Sequence, residues 1–396
     1  MNKNTTPPPP GTKKIIGLEV FLFLAIFFSL FVYIGSIMGA VNMLNTMMNT
    51  AFHLLMNTVF YLMAIAVLVG AISGLFTEFG VISLLNKLLS KAVEKIYGLP
   101  GASAVGIFTT YLSDNPAILA LSNDKSFRRY FKKYQLPALC NIGTAFGMGL
   151  IISTSMVSTV SPTGESFILA VLVGNLGAVI GSIISTRLML RYTAEIYGKE
   201  APCEMDDADN TIDIHTHRRI RPGGLFSRFL DSMLEGSKSG VQMGLDIIPG
   251  VVVICTMVMM LTNGAPADGI YTGAAYEGVA LLPWLGEKLN FIIQPLFGFQ
   301  SPEAIGVPIT ALGAAGAASG TVQQLIAAGA ANAHDVAVFT AICMCWSGYL
   351  STHAAMMDSL KCRELTGKAI LFHTIGGLVA GVSANWIYQF LMLLIV

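Results

Sequence analysis

Apolar residues in this chain run in blocks of about twenty, broken by short polar clusters. The blocks fall at about 15–37, 51–76, 136–160, 166–190, 244–262, 336–357 and 369–396. Each is long enough to cross ~30 Å of hydrocarbon as a helix. Two further apolar stretches, about 100–122 and 303–330, are interrupted by Pro or Gly, and an amphipathic segment precedes each, at about 80–97 and 278–297. The pattern predicts an all-α polytopic membrane protein. With 54% hydrophobic and 12% charged residues and a mean hydropathy of +0.67, the composition belongs in a bilayer.

The pattern also repeats. YGLPGASAVGIFTTYL at 97–112 aligns without gaps on FGFQSPEAIGVPITAL at 297–312, pairing Gly98 with Gly298, Ala104 with Ala304, Gly106 with Gly306, Thr110 with Thr310 and Leu112 with Leu312. Charge gives the two copies opposite directions. With the N-terminus inside, 22 of the 23 Lys and Arg residues fall in inside loops and only Lys288 lies outside. That count requires 100–122 and 303–330 to be re-entrant hairpins, the first opening inward and the second outward. The expected fold is an inverted-topology repeat with two re-entrant helical hairpins and broken transmembrane helices. Its expected division is a tail and extra helix (1–50), a first repeat (51–190), a cytoplasmic linker (191–228) and a second repeat (229–396). The chain would sit in the inner or plasma membrane, N-terminus cytoplasmic and C-terminus outside.

Several features have bland readings. Lys13 and Lys14 ahead of the first apolar block resemble a signal peptide, but the block exceeds twenty residues and lacks a small-residue cleavage site, so it reads as a retained helix. The six cysteines imply no disulfide framework, and Cys343 and Cys345 read as packing residues. The acidic cluster Glu204, Asp206, Asp207 and Asp209 with His215 and His217 matches no metal-ligand spacing. The run SFRRYFKKYQ at 126–135 reads as an anchor to anionic headgroups, so the bilayer and not a nucleic acid is the expected partner. No P-loop, G-x-S-x-G or H-E-x-x-H is present, and no enzyme or resident cofactor is expected.

Chemistry at membrane depth belongs where helices break, because freed backbone groups there need protein or water. The first hairpin reads TTYLSDNPAILAL, with Pro116 opening a new helix behind Asp114 and Asn115. Asp114 either ligates Na⁺ or carries a proton as a coupling group, or only caps the helix. The second hairpin, ALGAAGAASGTVQQL, is uncharged and offers Ser319 and Thr321. ALCNIGTAFGMG at 138–149 corresponds to CMCWSGYLSTHA at 343–354. These broken helices add Asn141, Thr144, Ser347, Tyr349 and His353 as substrate-binding candidates, with packing as the alternative. Asp246 reads as a helix-end residue of lower rank.

YLSDNPAIL, CNIGTAFGMG, EGSKSGVQMGLDIIPG and WSGYLSTHAAMMDSL resemble the nucleoside-recognition (Gate) domain family of bacterial membrane proteins. Relatives of that family include the spore maturation proteins A and B, the pore of the ferrous iron transporter B and the core of concentrative nucleoside transporters. The resemblance covers about 50–395 as two Gate-like halves. It implies opposed hairpins, ion-coupled uptake, and a substrate and sodium site at Asp114, Asn115, Asn141, Thr144, Ser319, Thr321, Ser347 and Tyr349. The second hairpin lacks an acidic substrate-binding motif, and no GTP-binding domain accompanies the pore. The leading expectation is an ion-coupled secondary transporter of a small polar, nucleoside-like metabolite, with homo-oligomerisation open. The alternative is a non-transporting sensor or assembly protein resembling the spore maturation proteins. An intramembrane enzyme would need Asp114 and His353 paired.

Overall fold

A computed structural model describes residues 13, 15–114, 116–123, 125–203, 213 and 216–395. Among them the regular structure is all helical, with one isolated antiparallel bridge, Lys132 to Pro202, and no strand. Six helices are long and apolar enough to span a bilayer, as expected of a polytopic all-α membrane protein.

The helices are α1 (Leu18–Met38) and α2 (Ala40–Glu78), hinged at Gly39 with φ 79°, then the amphipathic α3 (Val81–Tyr97). The first hairpin is α4 (Ser103–Leu112) and α5 (Pro116–Asn123). The first broken helix is α6 (Ala138–Phe146) and α7 (Gly149–Ser158), followed by the 30-residue α8 (Ile168–Tyr197). The second half runs α9 (Leu225–Thr262), α10 (Leu281–Lys288) and α11 (Asn290–Phe297), the hairpin α12 (Gly306–Gly313) and α13 (Ala315–Ala327), the broken helix α14 (Ala333–Trp346) and α15 (Tyr349–Ser359), and the 30-residue α16 (Thr366–Ile395).

The two halves correspond in detail at the aligned windows. Gly98 and Gly298 both end their helices in the left-handed region, at φ 76° and 64°, where a side chain would be strained. Their N–H groups donate to Glu94 and Gln294, each at 2.9 Å. Thr110 and Thr310 are both buried and return their hydroxyls to the carbonyls of Gly106 and Gly306, at 2.8 and 2.7 Å. The long helices α2 and α9 each contain a single π-helical turn, Leu54–Val59 and Gly250–Cys255, the second directly after Pro249. These turns pack on each other through Leu54, Val59, Val251 and Cys255, with Ala317 of the second hairpin beside them.

Burial orders the bundle. The apolar window of Lys133–Ser158, which contains the first broken helix, is 94% buried, whereas that of α1 is 6% buried. The broken helices therefore form the centre and α1 lies at the periphery. Helix limits differ from the hydropathy reading where a helix has a polar face. α9 begins at Leu225 and not near 244, α8 extends to Tyr197, and α2 begins at Ala40. The segment 191–228 is thus helical at both ends, and its Arg221 and Arg228 bind Glu78 at 2.9 and 2.6 Å. Glu204 to Asp209 and His215 lie outside the described residues.

Candidate functional site

Each broken helix is interrupted by a pair of residues that cannot continue it. In the first, Gly147 is extended and Met148 is left-handed at φ 58°; in the second, Ser347 and Gly348 are left-handed at φ 35° and 67°. The two breaks meet. The Ser347 hydroxyl donates to the carbonyl of Gly147 at 3.2 Å, satisfying an acceptor that the first break frees. The Gly348 N–H donates to Ala311 of the second hairpin, also at 3.2 Å. A Cβ at Gly348 would lie 3.0 Å from the Gly313 carbonyl, so glycine permits both the backbone turn and this approach.

The hairpin tips reach the same place. At the first, Ser113 leaves helical geometry and donates its hydroxyl to Thr109 at 2.6 Å, and the Asp114 carbonyl accepts from Ala117 at 3.0 Å. Tyr111 ties this hairpin to α8 by donating to Asn175 at 2.9 Å. At the second tip Ala314 is extended between α12 and α13. Between the tips and the breaks lies a cavity of about 510 Å³, a volume suited to a small-molecule ligand. Asp114, the Gly313–Gly316 tip, Met148, Ser347, Gly348 and Thr352 line it from one side, and Asp246, Ile247, Pro249, Gly250 and Val253 of α9 from the other.

Asp246, ranked below Asp114 from the sequence, shares the central cavity with it. It closes the α-helical first part of α9, Leu225–Asp246, before the turn at Ile247, as a helix-end residue does; its carboxylate accepts from Gln242 Nε2 at 2.8 Å, and it lines a second cavity with Asp114. Polar residues at 235, 239, 242 and 246, spaced for one helical face, were the available signal.

Of the expected site residues, Asp114 and Ser347 line the cavity, and Asn115 lies outside the described residues. The others do not line it. Asn141 donates to Ser185 Oγ at 2.8 Å and to the Ala369 carbonyl at 3.1 Å. Thr144 donates to the Met356 sulfur, Ser319 to the Ala315 carbonyl, and Thr321 pairs with Cys255. The Tyr349 hydroxyl meets Thr374 at 2.7 Å, and its ring packs on Trp346, His353 and His373. His353 is fully buried, with neither ring nitrogen hydrogen-bonded, 4.5 Å from the His373 ring between centroids. Among the described residues no three His, Cys, Asp or Glu are grouped to hold a metal. A larger groove, about 840 Å³, lies near His334 and Tyr388, where neither break nor tip reaches it.

No family model and no curated protein matches the chain. Solved structures of CNTnw, a concentrative nucleoside transporter, are similar to it. A single-substitution variant in the intermediate 1 state aligns at 17% identity and TM-score 0.51, over 82% of this chain and 75% of that one. The same variant in the intermediate 2 state aligns at 16% and 0.49, over 95% and 93%. The inward-facing substrate-bound state aligns at 14% and 0.49, over 82% and 74%. The first of these places the fold with concentrative nucleoside transporters, one of the groups that the sequence motifs resemble, and not with Gate-domain or spore maturation proteins in particular. At this identity the likeness concerns fold alone: the chain has a concentrative-nucleoside-transporter-like fold.

Proposed function

We propose that the chain is an ion-coupled secondary transporter that moves a small polar, nucleoside-sized metabolite across the inner or plasma membrane by alternating access. One observation carries this reading: two hairpin tips and two helix breaks converge on a single cavity that also holds Asp114 and Asp246. Helix breaks at depth expose N–H and carbonyl groups for a polar solute, and intramembrane carboxylates are costly unless they serve a cation or proton. In this reading Ser347, Thr352 and the backbone of Gly313–Gly316 hold the solute, and Asp114 binds Na⁺ or a proton. The hairpin-bearing unit then exposes the cavity to each side in turn.

The test is uptake by purified protein in liposomes, screening nucleosides, nucleobases, amino acids and dipeptides under Na⁺ or proton gradients. At least one solute accumulates against its gradient in the native protein. Asp114→Asn loses accumulation but retains solute exchange, because coupling and binding are separate tasks. Equal, gradient-independent behaviour of both proteins overturns the proposal. Ligand-induced thermal stabilisation without any flux would instead favour the non-transporting sensor.

A further inference from the structure

Two smaller voids adjoin the central cavity. One, about 330 Å³, lies between the first hairpin tip and α9 and is lined by Ser113, Asp114, Ser239, Gln242 and Asp246. The next, about 230 Å³, lies among α2, α4, α7 and α9 and ends at Arg221 and Glu235. Neighbouring voids share walls: Asp114 and Asp246 line the first two, Ser113 and Ser239 the last two, and Met243 lines all three.

The face of α9 that lines them differs from its neighbour. Glu235, Ser239, Gln242 and Asp246 recur at intervals of four, three and four, an arc of about 60° at 100° per residue. Leu234, Val241 and Leu245, all exposed, form a separate row centred about 110° away. The apolar row suits lipid. A polar row facing lipid would be costly, so it must border water or protein. At the far end Arg221 binds Glu235 at 2.6 Å and Glu78 at 2.9 Å, joining the end of α2 to α9 beside the last void.

We propose that these voids are one half of the permeation path, leading from the central cavity along the polar face of α9 to the Arg221 face. Met243 is its narrow point and the Arg221–Glu235 ion pair its mouth. The polar row supplies a hydrogen-bonding group about every 5 Å, enough to replace water around a small polar solute one contact at a time. The inference rests on the transporter reading of the cavity but is tested without measuring transport.

Ser239→Cys, Gln242→Cys and the lipid-facing Leu245→Cys are introduced singly into the full chain in proteoliposomes. A membrane-impermeant methanethiosulfonate ammonium reagent is applied to each side, and modification is read by mass at each site, separately from the native cysteines. Applied at the Arg221 face, it modifies positions 239 and 242 at least about tenfold faster than position 245, since reaction requires an exposed, ionised thiol. Adding Arg221→Gln raises the rate at position 239 severalfold. Equal rates at all three positions, or reaction only from the opposite face, overturns the path; an unchanged rate with Arg221→Gln overturns the mouth. Labelling without flux would keep the path and remove the transporter reading, so the two fail separately.

Discussion

Glu277 is the residue on which the loop from 263 to 280 closes. Its carboxylate accepts from the Thr272 N–H and hydroxyl and from the Gly273 N–H, at 2.7 to 3.2 Å, and from Thr46 of α2 at 3.4 Å. α2 holds the same loop through Asn42 to Tyr271, Asn49 to Gly273, and Tyr276 to Thr50. Burial alone would raise the Glu277 carboxyl, but these hydrogen bonds outweigh it and hold it below its ordinary 4.5. A depressed folded value means that its stabilisation is complete above 4.5 and is lost as pH falls through the folded value. We expect Glu277→Gln to lower stability at pH 7 by about 1–3 kcal/mol, the cost of donors left short of an acceptor. The variant should also lose part of the acid sensitivity, read as thermal unfolding from pH 7 down to 3.5. Identical pH profiles in variant and native protein would refute this role. The staple was legible only in outline: residues 42, 46, 49 and 50 share a helical face, but nothing local names their partners 224 to 231 positions away. Asp114 was legible for the opposite reason, because Asp-Asn-Pro inside an apolar block is a local contradiction. Asn141 and His353 stand out in the sequence as polar groups at membrane depth, but their partners, Ser185 for Asn141 and the His373 ring for His353, come from distant segments that no local pattern names.

Helices α2 and α9 pack at backbone distance, and their sequences say why. Gly70 and Gly74 in GAISG face Gly236 and Gly240 in GSKSG, and a Cβ at Gly70 or Gly240 would overlap the carbonyl of Gly236 or Ala66. Only backbone stands in the way, so no side chain can swing aside. We expect Gly70→Leu to destabilise the protein by about 1–3 kcal/mol, or more if the pair separates. Gly264→Ala, with open space around its Cβ, should be silent. Thermal unfolding in detergent decides this, and an unaffected Gly70→Leu would mean that the helices do not meet at this seam. At this scale the sequence was most informative where its two halves agree. The aligned windows end in paired left-handed glycines and lead into paired threonine hydrogen bonds and paired hairpins. It misled where a helix carries a polar face. The row Glu235, Ser239, Gln242 and Asp246 dilutes hydropathy across α9, so that only its last nineteen residues, 244–262, read as a span.

At the scale of the whole molecule, the segments that charge assigned to one side are in contact with one another. Arg221 and Arg228 bind Glu78, Arg187 donates to the carbonyls of Lys95 and Ile96, and Lys132 approaches Glu200 at 3.9 Å. Lys133 lies over the Tyr197 ring, whose hydroxyl reaches Glu364 in the loop before α16. A different group joins the other loops: the 263–280 loop binds the start of α2, the Ala333 N–H donates to Glu165, and the Gln300 N–H donates to Asp335. The two groups contain opposite ends of the same long helices, which is the arrangement a membrane imposes. How often the chain crosses depends on α14 and α15. Among the described residues six helices are long and apolar enough to span, and an even number would return the C-terminus to the side of the N-terminus. α14 and α15, fourteen and eleven residues long, are each too short to cross but together run from Ala333 to Ser359, as α6 and α7 do in the first half. Counting this broken helix as a crossing makes seven. We therefore expect reporters fused at the two ends to fall on opposite sides: a fluorescent protein active before residue 1 in the cytoplasm, and alkaline phosphatase active after Val396 outside. Both ends on one side would mean that the second broken helix does not cross. The hairpins, separated by the three crossings of α6–α7, α8 and α9, would still open to opposite faces, but the second broken helix would no longer mirror the first and the inverted repeat would stop at α13.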